Sequence, residues 1–210
     1  MIQRKNKPLA TRFQATPLAA SIVSFLLAFS PLSVAHAYSE SEGKEMYQRG
    51  LYPEALEHWK KAAAAGDSGA AFQLAVEYFD AKIVERDVAK ALSYLKQAAK
   101  DGDARALAEL ATYYDYGTGV PEDREKAAQL YLRAARLGVP AAMFNVASML
   151  ENGEGLPQDK VEAYKFYVLS GDQGFFPFSS KALAKLSTQM TPEELAKGQE
   201  LAARFVPGNF

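Results

Sequence analysis

From Ala55 onward the apolar positions recur in a fixed order, and that order repeats every 36 residues. Glycine marks the register at Gly66, Gly102, Gly138 and Gly174. Seven residues before each glycine stands a large side chain: Trp59, Leu95, Tyr131, Tyr167. Eleven before it is alanine every time, at Ala55, Ala91, Ala127 and Ala163, and alanine pairs fill Ala62-Ala63, Ala98-Ala99 and Ala134-Ala135. Eight after it come Leu74, Leu110, Val146 and Ala182; twelve after it come Tyr78, Tyr114, Leu150 and Leu186. Steps of three, four and seven keep such residues on one helical face, so each period predicts two amphipathic helices. Alanine opposite a bulky residue lets helices approach closely. A single hairpin cannot cover its own apolar face, so the hairpins must stack, and the chain is predicted to be an all-α array.

The polar positions punctuate the same period. The closing glycine suits a helix end that needs positive φ. Between the two helices lie Gly117-Thr118-Gly119-Val120-Pro121 and Gly153-Glu154-Gly155-Leu156-Pro157, followed by Asp123 and Asp159 as N-caps of the second helix. Asp159-Lys160-Val161-Glu162 also carries the glutamate of a capping box. Gly-x-Gly here has no third glycine, no following Lys-Ser/Thr and no strand before it, so it reads as a turn and not as a phosphate loop.

The residues Ala106, Leu110, Ala111, Tyr114, Gly117, Gly119, Val120, Asp123, Lys126, Ala127, Tyr131, Ala134, Ala135 and Gly138 resemble the Sel-1-like repeat, a longer relative of the tetratricopeptide repeat. The unit ending at Gly174 is nearly as good a match, and the unit ending at Gly102 carries Ala81 and Ile83 in place of the elbow glycines. The first unit is short, with a tighter turn at Gly50. The resemblance implies a right-handed α-α superhelix, a solenoid of stacked antiparallel helix pairs. It also implies a role as a protein-interaction adaptor.

Charge and composition place the array. Arg4, Lys5, Lys7 and Arg12 precede an apolar run from Leu18 to Val34, and Ala35-His36-Ala37 follows. That order is a secretory signal peptide, with cleavage expected between Ala37 and Tyr38; the run holds only 17 residues and contains serines and Pro31, which argues against a membrane anchor. The expected organisation is a signal peptide over 1–37, a repeat array over 38–177 with units of about 47–66, 67–102, 103–138 and 139–174, and capping helices over 178–210. A bacterial periplasmic or secreted protein is expected. Cleavage leaves 20 basic residues against 25 acidic ones, a formal charge of −5, with no basic cluster to attract nucleic acid. There is no cysteine, so packing alone must hold the array.

At the ends, Ser39 to Gln48 should form an N-terminal capping helix. Pro177 should interrupt helix near Phe175-Phe176-Pro177-Phe178, whose aromatics should cover the end of the stack, with a short helix from Ser179 to Leu186 after it. Thr191-Pro192-Glu193-Glu194 should cap a last helix that seals the array.

Chemistry is mostly excluded. After cleavage His58 is the sole histidine, which leaves no His/Cys metal cluster and no conventional Ser-His-Asp or Cys-His site beyond one centred on it. No cofactor is expected. A cysteine-rich branch of the resembled family is associated with β-lactam binding or hydrolysis, but this chain lacks those cysteines. Ser93-Tyr94-Leu95-Lys96 matches a serine-hydrolase spacing without supporting motifs. A binding surface is left. In tetratricopeptide-like arrays the first helix of each unit lines the concave groove, which the resemblance carries onto Phe72, Val76, Phe79 and Asp80; onto Ala108, Thr112, Asp115 and Tyr116; and onto Phe144, Ser148, Glu151 and Asn152. Apolar anchors beside carboxylates suit an extended peptide or helix with basic character. Phe72 and Phe144 fit either the groove or packing between neighbouring first helices. A second reading is contact with peptidoglycan or another glycan through Tyr113, Asp115, Tyr116 and Asn152; a β-lactamase-like hydrolase is a remote third.

Overall fold

The computed structural model describes residues 38–208; the segment expected to be a signal peptide lies outside the described residues. Every regular element among the described residues is helical. The chain runs through α1 (Glu40–Gln48), α2 (Tyr52–Ala64), α3 (Ser68–Asp80), α4 (Val88–Lys100), α5 (Ala104–Tyr116), α6 (Arg124–Arg136), α7 (Pro140–Asn152) and α8 (Lys160–Ser170). A kink at Gln173 and Gly174, within Gly171–Phe175, leads into α9 (Phe176–Ser187), and α10 (Pro192–Ala203) ends the series. Each helix from α1 to α9 packs on the next in sequence, which makes a right-handed solenoid of antiparallel hairpins.

The repeat register is the core. Ala55, Ala91, Ala127 and Ala163 are fully buried, and Trp59, Leu95, Tyr131 and Tyr167 are nearly so. Burial of each large member contributes roughly 1.5–3 kcal/mol. At the N-terminal end, Trp59 donates from Nε1 to the Glu40 carbonyl at 3.1 Å. Gly43 makes that approach possible, because a Cβ there would overlap the indole.

The punctuation behaves as the residue types require. Gly66, Gly102, Gly138 and Gly174 all have positive φ, between 91° and 101°. Asp67, Asp87, Asp103, Asp123 and Asp159 each accept a backbone N–H as the N-cap of a helix. The Asp87, Asp123 and Asp159 amides also donate back to the Tyr78, Tyr114 and Leu150 carbonyls, which closes the elbow identically in three units. Where the elbow lacks glycine, Ala81 nevertheless takes the left-handed conformation (φ 56°, ψ 36°), as Gly117 and Gly153 do. Ile83 does not follow Gly119 and Gly155 into positive φ, so the interior of that turn differs although its closing bond is the same.

Several local expectations are corrected. Glu162 does not complete a capping box at Asp159; its carboxylate pairs with Lys165 Nζ at 2.8 Å. The box at Thr191 does form, with Glu194. The helical break falls at Gln173 and Gly174, not at Pro177, which sits in the first turn of α9 where its missing N–H loses no bond. Helix therefore starts at Phe176, three residues before the expected Ser179. Of the three aromatics, Phe175 and Phe178 pack on Phe144 at the end of the stack, although Phe178 stays 60% exposed, while Phe176 is 67% exposed. The last helix, α10, lies on α8 and not on α9, with Gly198 against the Tyr164 ring.

Candidate functional site: the wall of first helices

The first helices of successive hairpins are α3, α5, α7 and α9, and side-chain contacts join α3 to α5 and α7 to α9 along one wall. Its contacts recur at a spacing just short of one repeat. Phe79 on α3 stacks on Tyr113 of α5, with ring centroids 4.7 Å apart. Glu151 on α7 accepts from Lys185 Nζ of α9 at 2.8 Å. In both pairs the second residue lies 34 positions after the first. Asp115 holds the equivalent place on α5, where the residue 34 positions on is Met149. No rung of either kind can form there.

Second helices support the wall from behind. The Tyr131 hydroxyl of α6 lies 2.8 Å from Thr112 Oγ1, and burial pushes its pKa up to about 12 against the pull of that bond. One repeat later the Tyr167 hydroxyl of α8 donates to Glu151 Oε2 at 2.9 Å; burial, with Glu151 adding to it, raises that phenol well above its ordinary range. Tyr113 is likewise pushed up to about 12 by burial and by Glu109.

The residues expected on the groove separate into two sets. Phe72 is half-buried under the Arg105 guanidinium, 4.5 Å from the ring centroid. Phe144 is enclosed by Tyr167, Phe175 and Phe178. Both phenylalanines make these packing contacts while staying partly exposed, and Phe144 also lines an opening between α7 and α9. Val76 is half-buried and Phe79 is spent on Tyr113. Glu151 is only 8% exposed and both its oxygens are engaged, so it belongs to the framework. Asp80 is exposed and pairs with Lys82 at 2.8 Å, and Asn152 and Ser148 are linked to each other. Tyr116 is 74% exposed. Asp115, half-buried beside it, accepts no hydrogen bond among the described residues. Burial pushes the Asp115 carboxyl up, and Arg124 pulls the other way. Of the four groups suited to a sugar, Tyr113 has one face covered by Phe79 and Asn152 has its amide donated to the Ser148 carbonyl.

Other groups were not read from the sequence. Glu40 on α1 gathers Lys44, Gln73 of α3 and Arg105 of α5, and so ties three first helices together. Burial opposes its charge, but the bonds from Arg105 and Lys44 bring its pKa down to about 2. Lys181, Lys185 and Phe178 of α9 extend the wall past the last well-matched repeat. The 34-residue diagonal was the available signal for Lys185, but it is hidden by reading rows at 36.

His58 is buried, and its Nε2 lies 3.1 Å from the Ser39 amide, whose N–H it accepts, and 3.1 Å from Glu42 Oε2. It is a structural histidine that pins the chain entering α1. Ser93 and Lys96 are both exposed on α4. Among the described residues, no group of three or more His, Cys, Asp or Glu side chains is placed to hold a metal ion.

Stacked hairpins built on one repeated register define the class of α-helical repeat proteins. The Sel1 repeat matches residues 36–67, 68–103, 104–139 and 140–175, and the chain belongs to the Sel1 repeat family. Proteins of this family generally serve as scaffolds for protein–protein interaction. Among solved structures it is similar to a Sel1 repeat protein from Oxalobacter formigenes, at 32% identity over 62% of this chain and 97% of that one, with a TM-score of 0.59. It shares the fold of a protective antigen present in uropathogenic Escherichia coli strains, at 20% identity and a TM-score of 0.50. That match covers 83% of this chain and 47% of the antigen. No curated protein matches the chain.

Proposed function

We propose that the protein is a non-enzymatic interaction scaffold, exported to the periplasm or secreted, that holds a basic extended segment of a partner protein along the wall of α3, α5 and α7. The observation that carries the reading is Asp115. Its carboxylate is half-buried, accepts no hydrogen bond among the described residues, and stands where neighbouring units place a closed rung. An incoming Lys or Arg would give it the charge-assisted bond it lacks, and exposed Tyr116 offers an aromatic face beside it. The non-enzymatic part is supported by His58, which is buried against the Ser39 amide and the Glu42 carboxylate at the start of α1. Export is supported by the basic, apolar and Ala-x-Ala order of residues 1–37.

The test is affinity capture from the envelope fraction with the wild type and with D115K/Y116A, scored by quantitative mass spectrometry. A partner held on the wall should fall at least about tenfold in the variant, as expected for loss of an interfacial anchor. An unchanged partner list, with an unchanged melting temperature, would remove the wall from consideration.

A further inference from the structure

The wall does not end in the same chemistry with which it begins. Where α7, α8 and α9 meet, a cavity of about 360 Å³ opens to solvent. One side is aromatic: Phe144, with Phe178 stacked on Phe175 at a centroid distance of 4.9 Å. Ala182, with its small side chain, also lines the cavity. The rim carries two lysines one helical turn apart. Lys185 is neutralised by Glu151, while Lys181 is exposed and makes no ion pair among the described residues. The socket thus carries an uncompensated positive charge, on a wall whose middle presents the unpaired Asp115 and, farther along, Asp80.

We propose that this cavity takes an apolar side chain of the partner that stands next to a carboxylate, so that the bound segment is dipolar. Its cationic residues lie over Asp115 and its apolar-acidic residues at α9. The inference rests on the reading of the wall as a peptide site, and it adds the ligand's chemistry and direction. Charge complementarity chooses the occupant: a purely apolar ligand leaves Lys181 unanswered, and a purely basic one meets it with like charge. The geometry also sets the spacing. Asp115 on α5 and Lys181 on α9 are two helix steps apart; at about 10 Å per step the separation is on the order of 20 Å, or about six residues of extended chain.

The probe is a library of random dodecapeptides displayed on phage and panned against the purified protein. Three baits are compared: wild type, K181E, and A182W, which puts a bulky side chain into the cavity lining. Wild type should enrich peptides with Lys or Arg about six residues from an aromatic or long aliphatic residue that adjoins Asp or Glu. K181E should keep the basic and apolar preferences and exchange the acidic neighbour for a basic one. A selected peptide, resynthesised, should bind K181E about three- to fivefold more weakly, the scale of one exposed ion pair. It should bind A182W at least about thirtyfold more weakly, the scale of a lost anchor. Enrichment of basic residues alone, with the same sequences from all three baits, would overturn the socket and leave the wall standing. Failure of every bait to enrich any sequence would overturn both. The A182W bait is used at a temperature where its circular dichroism equals that of wild type.

Discussion

Ala81 is the only non-glycine residue of positive φ among the described residues, and it offers a quantitative test of the repeat register. It ends α3 at φ 56°, with its N–H donating to the Glu77 carbonyl, in the role of Gly117 and Gly153. For an L-residue the left-handed region costs roughly 1–2 kcal/mol through the clash of Cβ with the following carbonyl. A glycine there would lose that strain but would enlarge the unfolded ensemble, which takes back about 0.4–1 kcal/mol. The expected net gain for A81G is therefore about 0.5–1 kcal/mol. For a chain of this size, about 2–4 °C of melting temperature per kcal/mol gives a rise on the order of 1–4 °C. The reciprocal variant is G153A: a Cβ there meets Gln158 Cβ at an ordinary 3.6 Å, so the change adds backbone strain without a clash. It should lower the melting temperature by a similar amount. Melts of both variants by circular dichroism at fixed protein concentration are the assay. A destabilised A81G together with an unaffected G153A would refute the claim that the elbows share one backbone solution.

Three further expectations come from the same contacts. K185A leaves the buried Glu151 carboxylate with Tyr167 as its one side-chain donor and should destabilise by about 1–3 kcal/mol; the double variant K185A/E151Q should recover most of that in urea titration. Glu77 is 4% exposed with Oε2 unpartnered, and burial pushes its pKa up against the pull of Lys82. Its ionised form therefore burdens the fold above the raised pKa, and the burden lifts as pH falls through that value toward the ordinary 4.5. E77Q should accordingly raise stability by about 1–2 kcal/mol at pH 7.5 and leave it unchanged at pH 4. Finally, intact-mass measurement on protein from the secreted or periplasmic fraction should give an N-terminus at Tyr38; an uncleaved N-terminus would contradict the export reading.

The sequence exposed what recurs every 36 residues, and the molecule differs where it departs from that period. Trp59, Leu95, Tyr131 and Tyr167 stand in a core row because the hairpins are near-copies and must bury the same face. The aspartate caps were legible because only a short carboxylate reaches the free amides of a helix start. The rungs of the wall were not legible, since they join a residue to the one 34 positions later. Glu151 therefore read as an open groove position, although Lys185 and Tyr167 use both its oxygens. The three aromatics read as a cover because such a cluster implies burial; Phe175 and Phe178 do pack on Phe144, but both Phe176 and Phe178 keep more than half of their surface exposed. Ala81 was a departure from the repeat pattern, but its neighbours impose the conformation that its own side chain disfavours. The kink before α9 has no sequence signal beyond Gly171 and Gly174.

The measurement that bears most directly on the wall is site-specific photo-crosslinking in the cells that produce the protein. A benzophenone amino acid replaces Tyr116, exposed beside Asp115, in one strain and Lys96, exposed on the second helix α4, in another. The account expects a discrete adduct from position 116 that disappears with D115K, and none from position 96. Equal adducts from both positions, or a 116 adduct indifferent to D115K, would contradict it.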